Sequence, residues 1–129
     1  MAHVSSLTGS ISESVASALL MENGFSVFTS LVPEAYDLIA VGTNEDGTKE
    51  TFRVQVKTIK IRRDREGQIV VRGANQKGVP YSKQDVDYIF GIHGTRGYLI
   101  PNNEQIEYWS SSFEAAAKKW TEFELNEKE

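Results

Sequence analysis

The sequence predicts an α/β fold in which a mixed β-sheet is flanked by helices. Three observations carry that reading: an amphipathic stretch over 11–23, a series of short alternating segments between Phe25 and Pro101, and a second helical pattern after Ser111. The chain has 129 residues, enough for one compact core and too few for a second. Apolar residues make up 40% and charged residues 25%, the balance of an ordinary globular protein.

The elements follow in order. Ile11, Val15, Ala18 and Leu19 recur at helical spacing, Ser10 with Glu13 fits a capping box, and Asn23-Gly24 supplies a stop. Phe25 to Phe28 reads as a short strand, Pro33-Glu34 as a loop, and Tyr36 to Val41 as a second strand. Asn44-Glu45-Asp46-Gly47 turns the chain into a long alternating run, Phe52 to Ile61. Asp64-Arg65-Glu66-Gly67 turns it again into Gln68 to Arg72, so these strands predict an antiparallel meander. Gly73 to Pro80 is a polar loop, and Ser82 to Asp85 resembles a short helix start. Two further strands, Asp87 to His93 and Tyr98 to Pro101, are joined by Gly94-Thr95-Arg96-Gly97. Ser111 and Glu114 open a last helix through Trp120, and Glu124 to Glu129 is expected to fray.

Composition narrows the chemistry. With no cysteine, disulfides and thiolate zinc sites are excluded. His3 and His93 lie too far apart for an HxxxH pair, which argues against a zinc enzyme. Nothing approaches the ~20 apolar residues of a membrane span, and Met1 to Ser10 lacks the features of a leader, so the chain reads as cytoplasmic. The net charge of −4 is unevenly spread. Lys57 to Lys77 holds seven bases and two acids, a local +5, which leaves −9 for the remainder. A stripe of this kind is either a solvated hairpin or a surface for phosphates, even on an acidic protein.

One constellation carries chemistry. Along Phe52 to Lys57 the period of two puts Phe52, Val54 and Val56 on one face and Arg53, Gln55 and Lys57 on the other. Asp37 begins the neighbouring strand. If the hairpin pairs as its turn suggests, a carboxylate, an amide and an ammonium converge. Hard divalent cations such as Mg²⁺ take oxygen ligands and keep several waters, and they assist hydrolysis of phosphate esters.

Asp37 followed by Gln55-Val56-Lys57 at the end of the next strand resembles the PD-(D/E)XK nuclease superfamily, with Tyr36 in place of the leading proline and Gln55 in place of the second acid. Glu13 on the first helix, Tyr36-Asp37-Leu38-Ile39, Val54 to Thr58, Tyr81 to Asp87 and Tyr98 to Pro101 form a wider frame. That frame is similar to group I intron-encoded homing endonucleases of the superfamily, in which a QxK form of the motif occurs. The resemblance covers about residues 9–101 and leaves the last helix and acidic tail, about 110–129, outside it. It implies a restriction-endonuclease-like core and one nuclease domain over 1–129. It also implies a Mg²⁺ site, with Mn²⁺ as a substitute, held by Asp37, Gln55 and Glu13, and a nucleophile positioned by Lys57. Lys60, Arg62, Arg63, Arg65, Arg72 and Lys77, just downstream, would then meet the phosphates of double-stranded DNA. A chain this short would pair as a homodimer or a dimer of dimers to cut two strands. Two other functions fit the frame: a structure-selective nuclease such as a Holliday junction resolvase, and an inert DNA-binding or assembly module.

Each of these residues also has a purely structural reading. Glu13 could only complete the capping box with Ser10, Asp37 could satisfy turn amides, and Gln55 and Lys57 could face solvent. Tyr81, Ser82 and Lys83 stand where the resemblance puts groups near the active site, or they cap a short helix. Trp109, Phe113 and Trp120 read as core or oligomer contacts, and His93 as a strand residue. Arg96 sits in an expected turn.

Overall fold

The computed structural model describes residues 4–126 and begins with helix α1, Val4–Glu22. Strands β1 (Ser26–Phe28), β2 (Leu38–Thr43) and β3 (Lys49–Thr58) follow, then β4 (Lys60–Arg62), a 3-10 turn at Arg63–Arg65 and β5 (Gln68–Arg72). Strands β6 (Tyr88–His93), β7 (Arg96–Pro101) and β8 (Glu107–Ser110), helix α2 (Phe113–Lys119) and β9 (Thr121–Glu124) complete the order.

Six strands form a central mixed sheet in the order β1-β2-β3-β6-β7-β9, and β4-β5-β8 form a second, antiparallel sheet. All neighbours in the central sheet are antiparallel except β3 and β6, which run parallel from Val54↔Tyr88 to Thr58↔Ile92. A parallel pair needs a long crossover, and here β4, β5 and the loop after them provide it. One face of the central sheet packs on α1 through Ala16, Leu19, Leu20, Val54, Val56 and Phe90. The other face packs on the second sheet and α2 through Ile59, Val71, Ile89, Tyr98, Ile100 and Trp120. The two sheets meet at Gly91. A Cβ there would come within 2.8 Å of Val71 Cγ2 and 3.1 Å of Ile59 Cγ1, so a side chain would push them apart.

Several expectations are corrected. Helix α1 starts at Val4, upstream of the expected cap, so Ser10 lies inside it and the Ser10–Glu13 capping box does not exist. Its buried line is Ser12, Ala16, Leu19 and Leu20, whereas Ile11 stands 63% exposed. The run 52–61 is not one strand. Ile59 makes a last bond to β6, its N–H donating to Ile92 O at 2.8 Å, and the chain resumes as β4 in the second sheet. The expected three-stranded meander is therefore divided between two sheets. Ser82 to Asp85 is a turn and not a helix, and Arg96-Gly97 belongs to β7. Strands β8 and β9 were not expected; β9 includes Glu124 and bonds β7, so the tail is ordered there. The last helix opens one residue later than expected, with Ser112 Oγ accepting the Ala115 N–H at 3.1 Å.

Candidate active site

The register of β2 and β3 makes a notch. The last ladder pair is Leu38↔Val54, so β3 continues past Val54 with β6 on one flank and no β2 on the other. Asp37, immediately before β2, fills the gap. Its N–H donates to Val54 O at 2.9 Å, and its Oδ2 accepts the Val56 N–H at 2.9 Å. A backbone donor left free by the end of the ladder thus fixes the carboxylate beside Gln55. Gln55 is buried, and its Nε2 reaches Val56 O at 3.4 Å.

Helix α1 closes the notch from outside. Ser12 and Thr58 hydroxyls meet at 2.7 Å and pin the helix to the end of β3. Glu13 then lines one cleft of about 460 Å³ together with Asp37, Gln55, Lys57, Thr58 and Lys60. All four residues singled out as catalytic, Glu13, Asp37, Gln55 and Lys57, are brought together. A second cleft of about 490 Å³ opens on the other side of Asp37 and Gln55, lined by Glu34, Asn75, Tyr81, Ser82 and Asp85.

Electrostatics follow from this packing. Burial pushes the Asp37 carboxyl above its ordinary range, against the pull of the Val56 N–H and the Lys57 ammonium. Glu13 is also pushed up, first by burial and then by the negative charge of Asp37. Lys57 Nζ sits 5.1 Å from the centre of the Tyr81 ring, which holds the ammonium over an aromatic face. Tyr81 in turn is fixed by the buried Asn102, whose amide donates to Tyr81 O at 3.0 Å and Val86 O at 2.9 Å. Arg53, on the same face of β3 as Gln55, is taken up elsewhere: its side chain bonds Asp87 at 3.1 Å and the Gln84 carbonyl, tying β3 to the loop before β6.

The donor set fits a hard divalent cation. Two carboxylates with raised proton affinity and one amide oxygen are all-oxygen ligands, and a positive ion relieves their crowding. Among the described residues no three His, Cys, Asp or Glu side chains gather as a metal group, so this set is limited to two charges. The side chains that would hold such an ion are Glu13, Asp37 and Gln55, which line one cleft.

The basic stripe divides into parts. Lys60, Arg62 and Arg72 share a groove with Lys57. Arg63 and Arg65 lie on the exposed turn between β4 and β5, with Arg65 paired to Glu107 at 3.0 Å. Arg62 makes two bonds to Asp64, at 3.0 and 2.7 Å. Lys77 stands in a separate exposed loop. Arg96 pairs with Glu124 at 3.8 Å and covers the Phe113 ring. Phe113 and Trp120 join the core, while Trp109 is 48% exposed. Sequence reasoning missed Thr58 as the anchor of α1 and Glu34, Asn75 and Asp85 as the far wall. No local motif marks them, because each reaches the site only through long-range packing.

No family model matches the chain, and no curated protein matches its sequence. Among solved structures it is similar to a bacterial homing endonuclease, I-Ssp6803I, with a TM-score of 0.62. The match covers 87% of this chain and 78% of that one at 21% sequence identity, so the likeness is one of fold. The mixed sheet with its flanking helices agrees with the restriction-endonuclease-like core expected from the sequence.

Proposed function

We propose that this chain is a divalent-metal-dependent DNA endonuclease of the PD-(D/E)XK type, with Gln55 standing where the second acid is usual. The observation that carries this reading is the convergence of Glu13, Asp37, Gln55 and Lys57 in one cleft that opens onto basic side chains. The likeness in fold to a homing endonuclease supports it and favours a sequence-specific enzyme acting on double-stranded DNA.

Asp37, Glu13 and Gln55 would hold Mg²⁺, or Mn²⁺ in its place. The bound ion would supply charge stabilisation at the scissile phosphate and make a water acidic enough to attack it. The chain's own groups do the rest. Asp37 cannot swing away, since the Val56 N–H holds one of its oxygens. Lys57, steadied over Tyr81, presents a positive charge to the attacking water and offsets the charge that builds on phosphorus. Gln55 contributes an oxygen without a charge, which lowers the pull on a second ion and suits a single-metal site. Lys60 prolongs the positive surface to the neighbouring phosphate. Among the described residues Glu13, Asp37, Gln55 and Lys57 make one such cleft, so cutting both strands calls for a homodimer or a dimer of dimers.

The test compares linear duplex and four-way junction DNA in Mg²⁺. A homing-type enzyme cuts duplex at defined sites and ignores branch structure; preferential cutting at the junction would move the assignment to a resolvase. Binding without cutting of either would leave an inert DNA-binding module.

A further inference from the structure

The outward face of the second sheet forms a groove that extends beyond the catalytic residues. Its register sets Lys60 opposite Val70, Arg62 opposite Gln68 and Arg72 opposite Glu107. Ile69 and Val71 alternate inward and are fully buried, so Lys60, Arg62 and Arg72 point the other way. Together with Lys57 they line a groove of about 320 Å³ whose walls also include Val70, Ile106 and one acid, Glu107. Lys57, Thr58 and Lys60 line both this groove and the cleft that holds Glu13 and Asp37. The groove is therefore a continuation of the candidate active site.

Its bases are not equivalent. The charge of Arg62 is met by Asp64. Arg72 Nη2 donates to the Asn75 carbonyl at 2.8 Å, a neutral acceptor that fixes the guanidinium without cancelling its charge. Asn75 is itself rigid, its Oδ1 taking the Lys77 and Val79 N–H groups at 2.9 and 3.0 Å. Glu107, across the ladder, is engaged by Arg65, and among the described residues Arg72 makes no ion pair. A preset planar fork with free donors suits two acceptors side by side better than a single phosphate oxygen. This face lies at the β4 edge of the three-stranded sheet β4-β5-β8, and in the major groove guanine offers O6 and N7 in that arrangement.

We propose that Arg72 is a specificity residue: the outward face of the second sheet meets the major groove beside the cut, and Arg72 reads a guanine there while Lys60 meets the flanking phosphate. This rests on the nuclease reading above and adds what the enzyme recognises. The experiment cuts a randomised duplex library with the full chain in Mg²⁺, using wild type, Arg72→Ala and Arg72→Lys. The same library is enriched by binding in Ca²⁺. Wild type should show a preferred guanine at one position near the cut. Arg72→Ala should lose that preference by about 5- to 150-fold, with other positions unchanged. Arg72→Lys, which keeps the charge and loses the fork, should lose most of it too. Preferences that survive both substitutions, or cutting that weakens equally on every sequence, would overturn the assignment while leaving the nuclease reading intact. Wild type that enriches a guanine through Arg72 yet cuts nothing would sink the nuclease reading and keep the groove.

Discussion

Replacing Asp37 with asparagine keeps an oxygen for the Val56 N–H and removes one of the two carboxylate charges in the cleft. The variant should fold at least as stably as wild type without metal, because burial and Glu13 both oppose that charge. Metal should then separate the two proteins. At a Mg²⁺ concentration tenfold above its Kd, binding adds about 1.4 kcal/mol to wild-type stability. With about 2.1 cal/mol/K of unfolding entropy per residue over 129 residues, Tm should rise by about 5 °C. Even an outer partner of a metal site is worth about 10- to 100-fold in affinity, so losing Asp37 should weaken binding by about 100-fold. The shift at the same Mg²⁺ concentration then falls below about 0.5 °C. Thermal melts by circular dichroism, with and without Mg²⁺ and with no DNA present, read this directly. An equal shift in wild type and Asp37→Asn would place the ion elsewhere and refute the argument.

Further expectations concern pH, DNA contact and the support of Lys57. Between the ordinary carboxylate range and their raised values, Glu13 and Asp37 hold more protons folded than unfolded, so their contribution to stability declines as pH rises through that window. Cleavage should rise with pH as both ionise, and Glu13→Gln should move the remaining acid limb to lower pH in a pH–rate profile; an unmoved limb would show that the two do not interact. Arg62→Ala combined with Arg63→Ala should reduce the slope of log affinity against log salt by at least about 0.9, the release expected from one phosphate contact, since Asp64 already meets the charge of Arg62. An unchanged slope would remove both from the interface. Asn102→Ala strands the Tyr81 and Val86 carbonyls and should cost about 2 kcal/mol in urea denaturation. The same variant should slow cleavage by freeing Tyr81; full activity would separate Tyr81 from the work of Lys57.

The sequence exposed the heart of the cleft better than the edges of the fold. Asp37 and Gln55 could be expected to meet because period two and a four-residue turn constrain one hairpin, and the observed register brings them together. The break at Ile59 shows in the sequence only as a shift of phase. Val54 and Val56 alternate in one phase and Ile59 and Ile61 in the other, and past the Ile59 N–H bond to Ile92 O the chain passes into the second sheet. Strand β9 has Phe123 as its one apolar residue and β8 is only four residues long, Glu107-Tyr108-Trp109-Ser110, so both depend on their ladders with β7 and β5. The early start of α1 was hidden by Ser5, Ser6, Thr8 and Gly9, poor helix formers that a local reading assigns to a cap. That misreading touched the site, since it gave Glu13 a capping role when the longer helix carries it to the notch.

The most direct measurement incubates supercoiled plasmid carrying a preferred site with wild type and Lys57→Ala across a Mg²⁺ titration, and then tests the product ends for a 5′-phosphate by ligation. Wild type should nick and linearise the plasmid only with Mg²⁺ or Mn²⁺, leaving ligatable ends, while Lys57→Ala binds the same DNA and cuts at least about 100-fold more slowly. Equal cutting by both proteins, or cutting that persists in a metal chelator, would contradict the account.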